Sequence, residues 1–127
     1  MAVLLTELGY PTTDDRLRSR LRQGHEDSST TTLVAEAGGE VVGCMSLTFT
    51  PYFPDGSTMC RITALVVGSR HRGRGVGSVL VARAIDEARA RACATLEVTT
   101  AERRTDAQRF YERGGFSRAS ARFVRSL

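Results

Sequence analysis

The sequence contains no lysine and no tryptophan, and all 18 of its basic residues are arginine. Aromatic residues make up only 6% of its 127 positions, and no RNP-like aromatic pattern is present, which argues against a module that stacks single-stranded bases. The three cysteines, Cys44, Cys60 and Cys93, are odd in number and include no C-x-x-C pair, so neither a disulfide framework nor a zinc site is indicated. They read as reduced thiols in small core positions, and no metal is expected. No run approaches the roughly 18 apolar residues that a membrane span needs. The first residues meet Glu7 after a short apolar run with no basic region before it, unlike a signal peptide. These absences predict a soluble, cytoplasmic protein with no membrane partner.

What is present is ordinary in bulk. With 41% hydrophobic and 25% charged residues, the chain fits one globular domain over 1–127. The net charge of +4 is carried by arginine alone, which suits fork-like contacts to phosphate but follows equally from codon composition. Only clustering carries information, and one cluster stands out: Arg70, His71, Arg72 and Arg74. An arginine-rich nucleic-acid-binding module is the alternative class this raises, and the missing aromatic and zinc patterns weigh against it. His25 lies in a polar run and His71 beside arginines, so both read as solvent-exposed.

Along the chain, 2–8 reads as a helix ended by Gly9, Tyr10 and Pro11, and Thr12 or Thr13 is placed to cap a second helix over 14–23. Strands are expected over 32–37 and 40–50 around a Gly38-Gly39 turn, then over 58–67. A helix over 75–92 carries a stripe of Val76, Leu80, Val81, Ala84, Ile85 and Ala88. A strand over 95–99, a helix over 105–113 stopped by Gly114-Gly115, and one or two closing strands over 116–124 complete the reading. Phe110, Phe116 and Phe123 are assigned to the core; Tyr10, Tyr52 and Phe53 either line a pocket or pack in the core.

Chemistry concentrates where strand 64–67 passes through a loop into the helix beginning at Gly75. A helix N-terminus offers unpaired N–H groups and partial positive charge to an oligophosphate. Gly73, Gly75 and Gly77 let the backbone approach and curl around an anion, and Arg70, Arg72 and Arg74 add long-reach cations. The glycine spacing is not G-x-G-x-x-G and no G-K-[ST] is present, so neither a dinucleotide fold nor a P-loop ATPase is supported.

The junction Arg72-x-x-Gly75-x-Gly77, the later run D-A-Q-R-F-Y-E-R-G-G-F from Asp106 to Phe116, and L-V-A-E from Leu33 before the Gly38-Gly39 turn together resemble the GNAT superfamily of N-acetyltransferases. Its signature at this junction is [QR]-x-x-G-x-[GA]. The likeness runs from Leu33 onward. It implies an α/β fold with a mixed, mostly antiparallel central sheet flanked by helices, here lacking the family's first strand. It implies acetyl-CoA as co-substrate, with no metal, and acetyl transfer to a primary amine of a small molecule or peptide by direct attack in a ternary complex. The strands ending at Val67 and near Thr99 would splay to admit the pantetheine arm, with Leu65, Val66 and Val67 offering backbone hydrogen bonds to it. Amides of Arg72, Gly73, Arg74, Gly75, Val76, Gly77 and Ser78 would hold the pyrophosphate. Tyr111 matches the tyrosine that protonates the departing thiolate, a nearly balanced transfer between groups of pKa about 10 and roughly 8.5 to 10.

Departures from the pattern sharpen the expectations. Thr63 stands where relatives often carry a glutamate base, which leaves Glu97 or Asp55 as replacement carboxylates; each also reads as a surface charge. Arg104 stands where many members have asparagine, and would bind CoA phosphate or carbonyl groups or serve as a helix cap. A missing first strand would leave strand 32–37 with a bare edge, which predicts a homodimer or reduced stability. A CoA-binding protein of the same fold with little catalysis is the further alternative. Acceptor specificity would lie in the loops around 9–11 and 51–58.

Overall fold

The computed structural model describes residues 3–4, 13–100 and 104–127. The expected first helix and Tyr10 fall outside them, apart from Val3 and Leu4, which are helical. Helix α1 (Asp14–Glu26) begins at Thr13, whose hydroxyl accepts from the Arg16 amide at 3.3 Å, with Asp14 and Asp15 in the first turn. It runs past the expected end at Gln23 because Gly24 does not stop it. The stop comes at Asp27, whose carboxylate accepts from the Ser29 amide and hydroxyl at 2.9 and 2.7 Å, an Asx turn that holds its pKa below the usual range.

Strands β1 (Thr30–Ala37) and β2 (Glu40–Tyr52) are antiparallel, joined by Gly38 and Gly39 at φ 59° and 80°. Two consecutive positive φ values are what a tight primed hairpin turn demands, and glycine supplies them without strain. Strand β3 (Ser57–Val67) returns antiparallel to β2, and helix α2 (Val76–Ala90) carries the chain over to β4 (Thr95–Val98), which runs parallel to β3. Sheet order is β1-β2-β3-β4, so among the described residues β1 is an edge. Helix α3 (Thr105–Arg113) has the bounds read from sequence.

The expected stripe of α2 is the packing face: Leu80, Val81, Ala84 and Ala88 are buried against Met45, Leu47, Phe49, Cys60 and Ile62. A smaller cluster of Leu4, Cys44 and Val66 lies on the other face of the sheet. Arg91 ties the end of α2 to β1: its guanidinium sits 3.9 Å over the Phe49 ring and donates to the Ser28 carbonyl at 2.6 Å and Thr31 Oγ1 at 3.2 Å. No helix among the described residues is long and apolar enough to cross a membrane.

The tail overturns two expectations. Residues 117–127 form no strand and are exposed, and Phe123, assigned to the core, is 94% exposed. Phe53 and Tyr52 are likewise exposed at the β2–β3 turn rather than packed in the core. Phe110 and Phe116 do pack against the main core.

Candidate active site

Strand β3 is bent at Thr63. The register with β2 passes from Ser46↔Ala64 to Leu47↔Ile62, so Thr63 is an extra residue, a β-bulge. Pairing with β4 stops at the same point, with Ile62↔Val98. From Thr63 to Val67, β3 continues without a strand partner on its β4 side among the described residues, and the two strands part. Backbone groups along such an edge require partners, which an extended ligand arm can supply. Thr63 itself is exposed, and its hydroxyl donates to the Ser46 carbonyl at 3.3 Å.

The loop leaving β3 makes a short 3-10 turn (Ser69–His71) and reaches α2 through Gly75. Gly73 and Gly75 have φ of 75° and 83°, and a Cβ on either would meet nothing within 4 Å. Gly75 provides no side-chain cap, and the first turn of α2 holds no acidic residue, so its N–H groups and partial positive charge face outward uncompensated by carboxylate. Arg70, Arg72 and Arg74 are exposed around this turn; Arg72 folds back so that Nε donates to the Val67 carbonyl at 3.2 Å. His71, read from sequence as solvent-exposed, is half-buried; the side chain of His25 lies outside the described residues. Gly77 serves a different end from its neighbours: a Cβ there would lie 3.3 Å from Phe110 Cζ, so its bareness lets α3 approach α2.

That approach forms a cleft of about 250 Å³ between the helices, in which Ser78, Val81 and Ile85 face Phe110, Tyr111 and Phe116. Tyr111 stands edge-on to Phe110 and Phe116, with centroids 5.2 and 5.5 Å away. Burial pushes its hydroxyl pKa above the ordinary value, and the Arg104 charge acts in the opposite sense. Arg104 is the exposed N-cap residue of α3 and makes no side-chain cap hydrogen bond.

The family model of the Acetyltransferase (GNAT) family matches residues 3–116. The chain belongs to this family. It is 37% identical over 94 residues to an aminoalkylphosphonate N-acetyltransferase of Salmonella typhimurium, covering 74% of this chain and 61% of that protein, so it spans about three-fifths of the relative's length. Among solved structures, a transcriptional regulator from Bacillus halodurans superposes with a TM-score of 0.82 at 34% identity, over 91% of this chain and 77% of the other. Glucosamine-6-phosphate N-acetyltransferase from Arabidopsis thaliana shares the fold, with a TM-score of 0.87 at 22% identity over 100% of this chain and 88% of its own.

Within this GNAT fold the residues singled out from sequence fall into two groups. The turn from Arg72 to Ser78, the parted end of β3 with Leu65, Val66 and Val67, and Tyr111 with Arg104 lie around the junction of β3, α2 and α3. Glu97 lies elsewhere. Its neighbours Leu96 and Val98 pack into the core beneath α2, so Glu97 points to the opposite face of the sheet, and Tyr111 and Glu97 share no cleft. Asp55 is drawn off into its own turn, its Oδ1 accepting from the Ser57 amide at 2.9 Å and hydroxyl at 2.6 Å, which keeps it below the usual carboxylate range. Sequence reasoning passed over Arg61, whose Nη2 donates to Thr99 Oγ1 at 2.7 Å just beyond the last β3–β4 pair. Only the register reveals that contact, since nothing local distinguishes one of 18 arginines.

Proposed function

We propose that the chain, as one acetyltransferase domain, transfers an acetyl group from acetyl-CoA to a primary amine by direct attack in a ternary complex. The observation that carries this is the parting of β3 and β4 at Ile62 and Val98, beside a helix N-terminus bare of carboxylates and a cleft lined by Tyr111. The pyrophosphate sits on amides from Arg72 to Ser78, with Arg104 a further cation, and the pantetheine arm runs along β3 at Leu65 and Val66. The Val67 carbonyl is shared with Arg72. The amine reaches the thioester carbonyl from the sheet face that carries Glu97. Its nitrogen bonds to the carbonyl carbon, the C–S bond breaks, the thiolate takes the Tyr111 proton, and the proton that the nitrogen then loses restores the Tyr111 hydroxyl by way of water. An alkylammonium of pKa about 10.4 must first lose a proton, which costs about 4 to 5 kcal/mol near pH 7, and we assign that proton to Glu97, the carboxylate on this face.

The Salmonella relative's name specifies amines bearing a phosphonate. Acceptors for this chain include small molecules of that kind. Three free cysteines, two of them buried, suit a reducing cytoplasm. A CoA-binding protein with little turnover is the second reading, favoured by Thr63, which cannot act as a carboxylate base. Thiol release from acetyl-CoA separates the two: Tyr111→Phe is expected to lower kcat by roughly 10²-fold or more while acetyl-CoA affinity holds. Binding without release, in the unaltered chain and with every amine tried, would leave only the second.

A further inference from the structure

We infer that the acceptor is a small amine carrying an anionic group, which Arg61 holds on the sheet face opposite α2; this rests on the acetyl-transfer reading above. Cys60, Ile62, Leu96 and Val98 all pack into the core beneath α2. The residues between them, Arg61 and Glu97, therefore face the other way. They are paired across β3 and β4, and Thr48 is opposite Arg61 on β2, which sets a polar row across the sheet one step before the strands part.

Arg61 is exposed, and its hydrogen bond to Thr99 Oγ1 carries the guanidinium past Glu97 toward the parting itself. Thr99 follows the last residue of β4. Among the described residues Arg61 makes no ion pair, although a glutamate is its cross-strand neighbour. A guanidinium has five N–H donors in a planar fork, and the tether to Thr99 uses one, so the rest remain for an oxyanion. Half-buried Glu97 presents the opposite charge beside it on the same face. A cation and an anion side by side at the mouth of a thioester channel read a zwitterion: the acid group on Arg61, the ammonium on Glu97. A neutral alkylamine leaves the Arg61 fork without a partner.

The test is thiol release from acetyl-CoA with aminoethylphosphonate, β-alanine and propylamine as acceptors, comparing the unaltered chain with Arg61→Ala, Arg61→Lys and Thr99→Val. The expected kcat/KM for the two anionic amines exceeds that for propylamine by roughly tenfold to a hundredfold, the reach of one charge-assisted fork. Arg61→Ala is expected to bring that ratio toward one, chiefly through KM, with Arg61→Lys and Thr99→Val lying between. The lysine variant keeps the charge, so it reads the ratio even if the alanine variant folds poorly. A ratio near one in the unaltered chain, or a ratio indifferent to Arg61, overturns the inference and leaves acetyl transfer standing. No release with any of the three, despite acetyl-CoA binding, overturns this inference; the transfer reading falls with it only if other primary amines, peptide N-termini included, release no thiol either.

Discussion

Gly75→Ala isolates backbone conformation from crowding. Gly75 caps α2 at φ 83°, and a Cβ there would meet nothing within 4 Å, so an alanine is opposed by the left-handed conformation alone. That opposition costs roughly 1 to 2 kcal/mol, which for a chain of 127 residues lowers Tm by roughly 3 to 8 °C. Asparagine tolerates the left-handed region and should lose about half as much or less. Gly77→Ala is the contrast, since its φ is not left-handed; it gains up to about 1 kcal/mol of helix propensity but sets a methyl 3.3 Å from Phe110 Cζ. It should therefore be near neutral in stability and lower kcat by displacing α3 and with it Tyr111. Urea unfolding and thermal melts of the three variants, with acetyl-CoA affinity measured alongside, check the series. If Gly75→Ala matches the parent in stability, or Gly75→Asn is equally destabilised, the left-handed cap is not what glycine provides there.

Burial raises the Cys60 thiol to about 11, with Cys93 and Glu87 acting in the same sense and Arg91 against. The neutral thiol is the form the fold favours, so this contribution is fully present below about pH 9 and is lost as pH rises toward 11. A urea midpoint that falls over that window, by the equivalent of roughly 1 to 3 kcal/mol, and falls less in Cys60→Ala, is expected; identical profiles would refute it. In its proposed role Tyr111 would donate only while protonated, and burial raises its pKa, so kcat should show no Tyr111-dependent decline below about pH 10. An alkaline limb centred near about pH 9 that vanishes in Tyr111→Phe would contradict the assignment. The homodimer is proposed on the edge of β1, which pairs with no further strand among the described residues. Sedimentation across a wide concentration range should find a two-chain species that a proline at Val34 disrupts, and a monomer throughout would refute it.

Much of this fold was legible because its signals are local. The cap at Thr13, the paired glycines at the hairpin and the stripe of α2 each follow from a few neighbouring residues. The tail failed for the opposite reason: alternation around Phe123 looks like a strand, but a strand exists only with a partner, and none is formed. At the site, the glycine turn before α2 and Tyr111 were readable as motifs, whereas the third glycine's service to Phe110, the bulge at Thr63 and the reach of Arg61 to Thr99 depend on packing and pairing register, which no single segment carries.

The bulge at Thr63 has a consequence for change along this strand. Ile62 and Leu65, three positions apart, both pack toward α2, while Val66 packs on the opposite side; regular alternation would reverse that assignment. Without Thr63, plain alternation from Ile62 would still set Leu65 toward α2 and Val66 opposite, so the extra residue supplies the local bend where the strands part while the side-chain facing beyond it is kept. The position thus contributes a bend by its presence and is permissive of a change in kind, since its side chain is exposed and makes one bond to a neighbouring carbonyl. A carboxylate installed there would leave the frame of the sheet intact, making it a ready site for engineering a stronger base beside the parting strands.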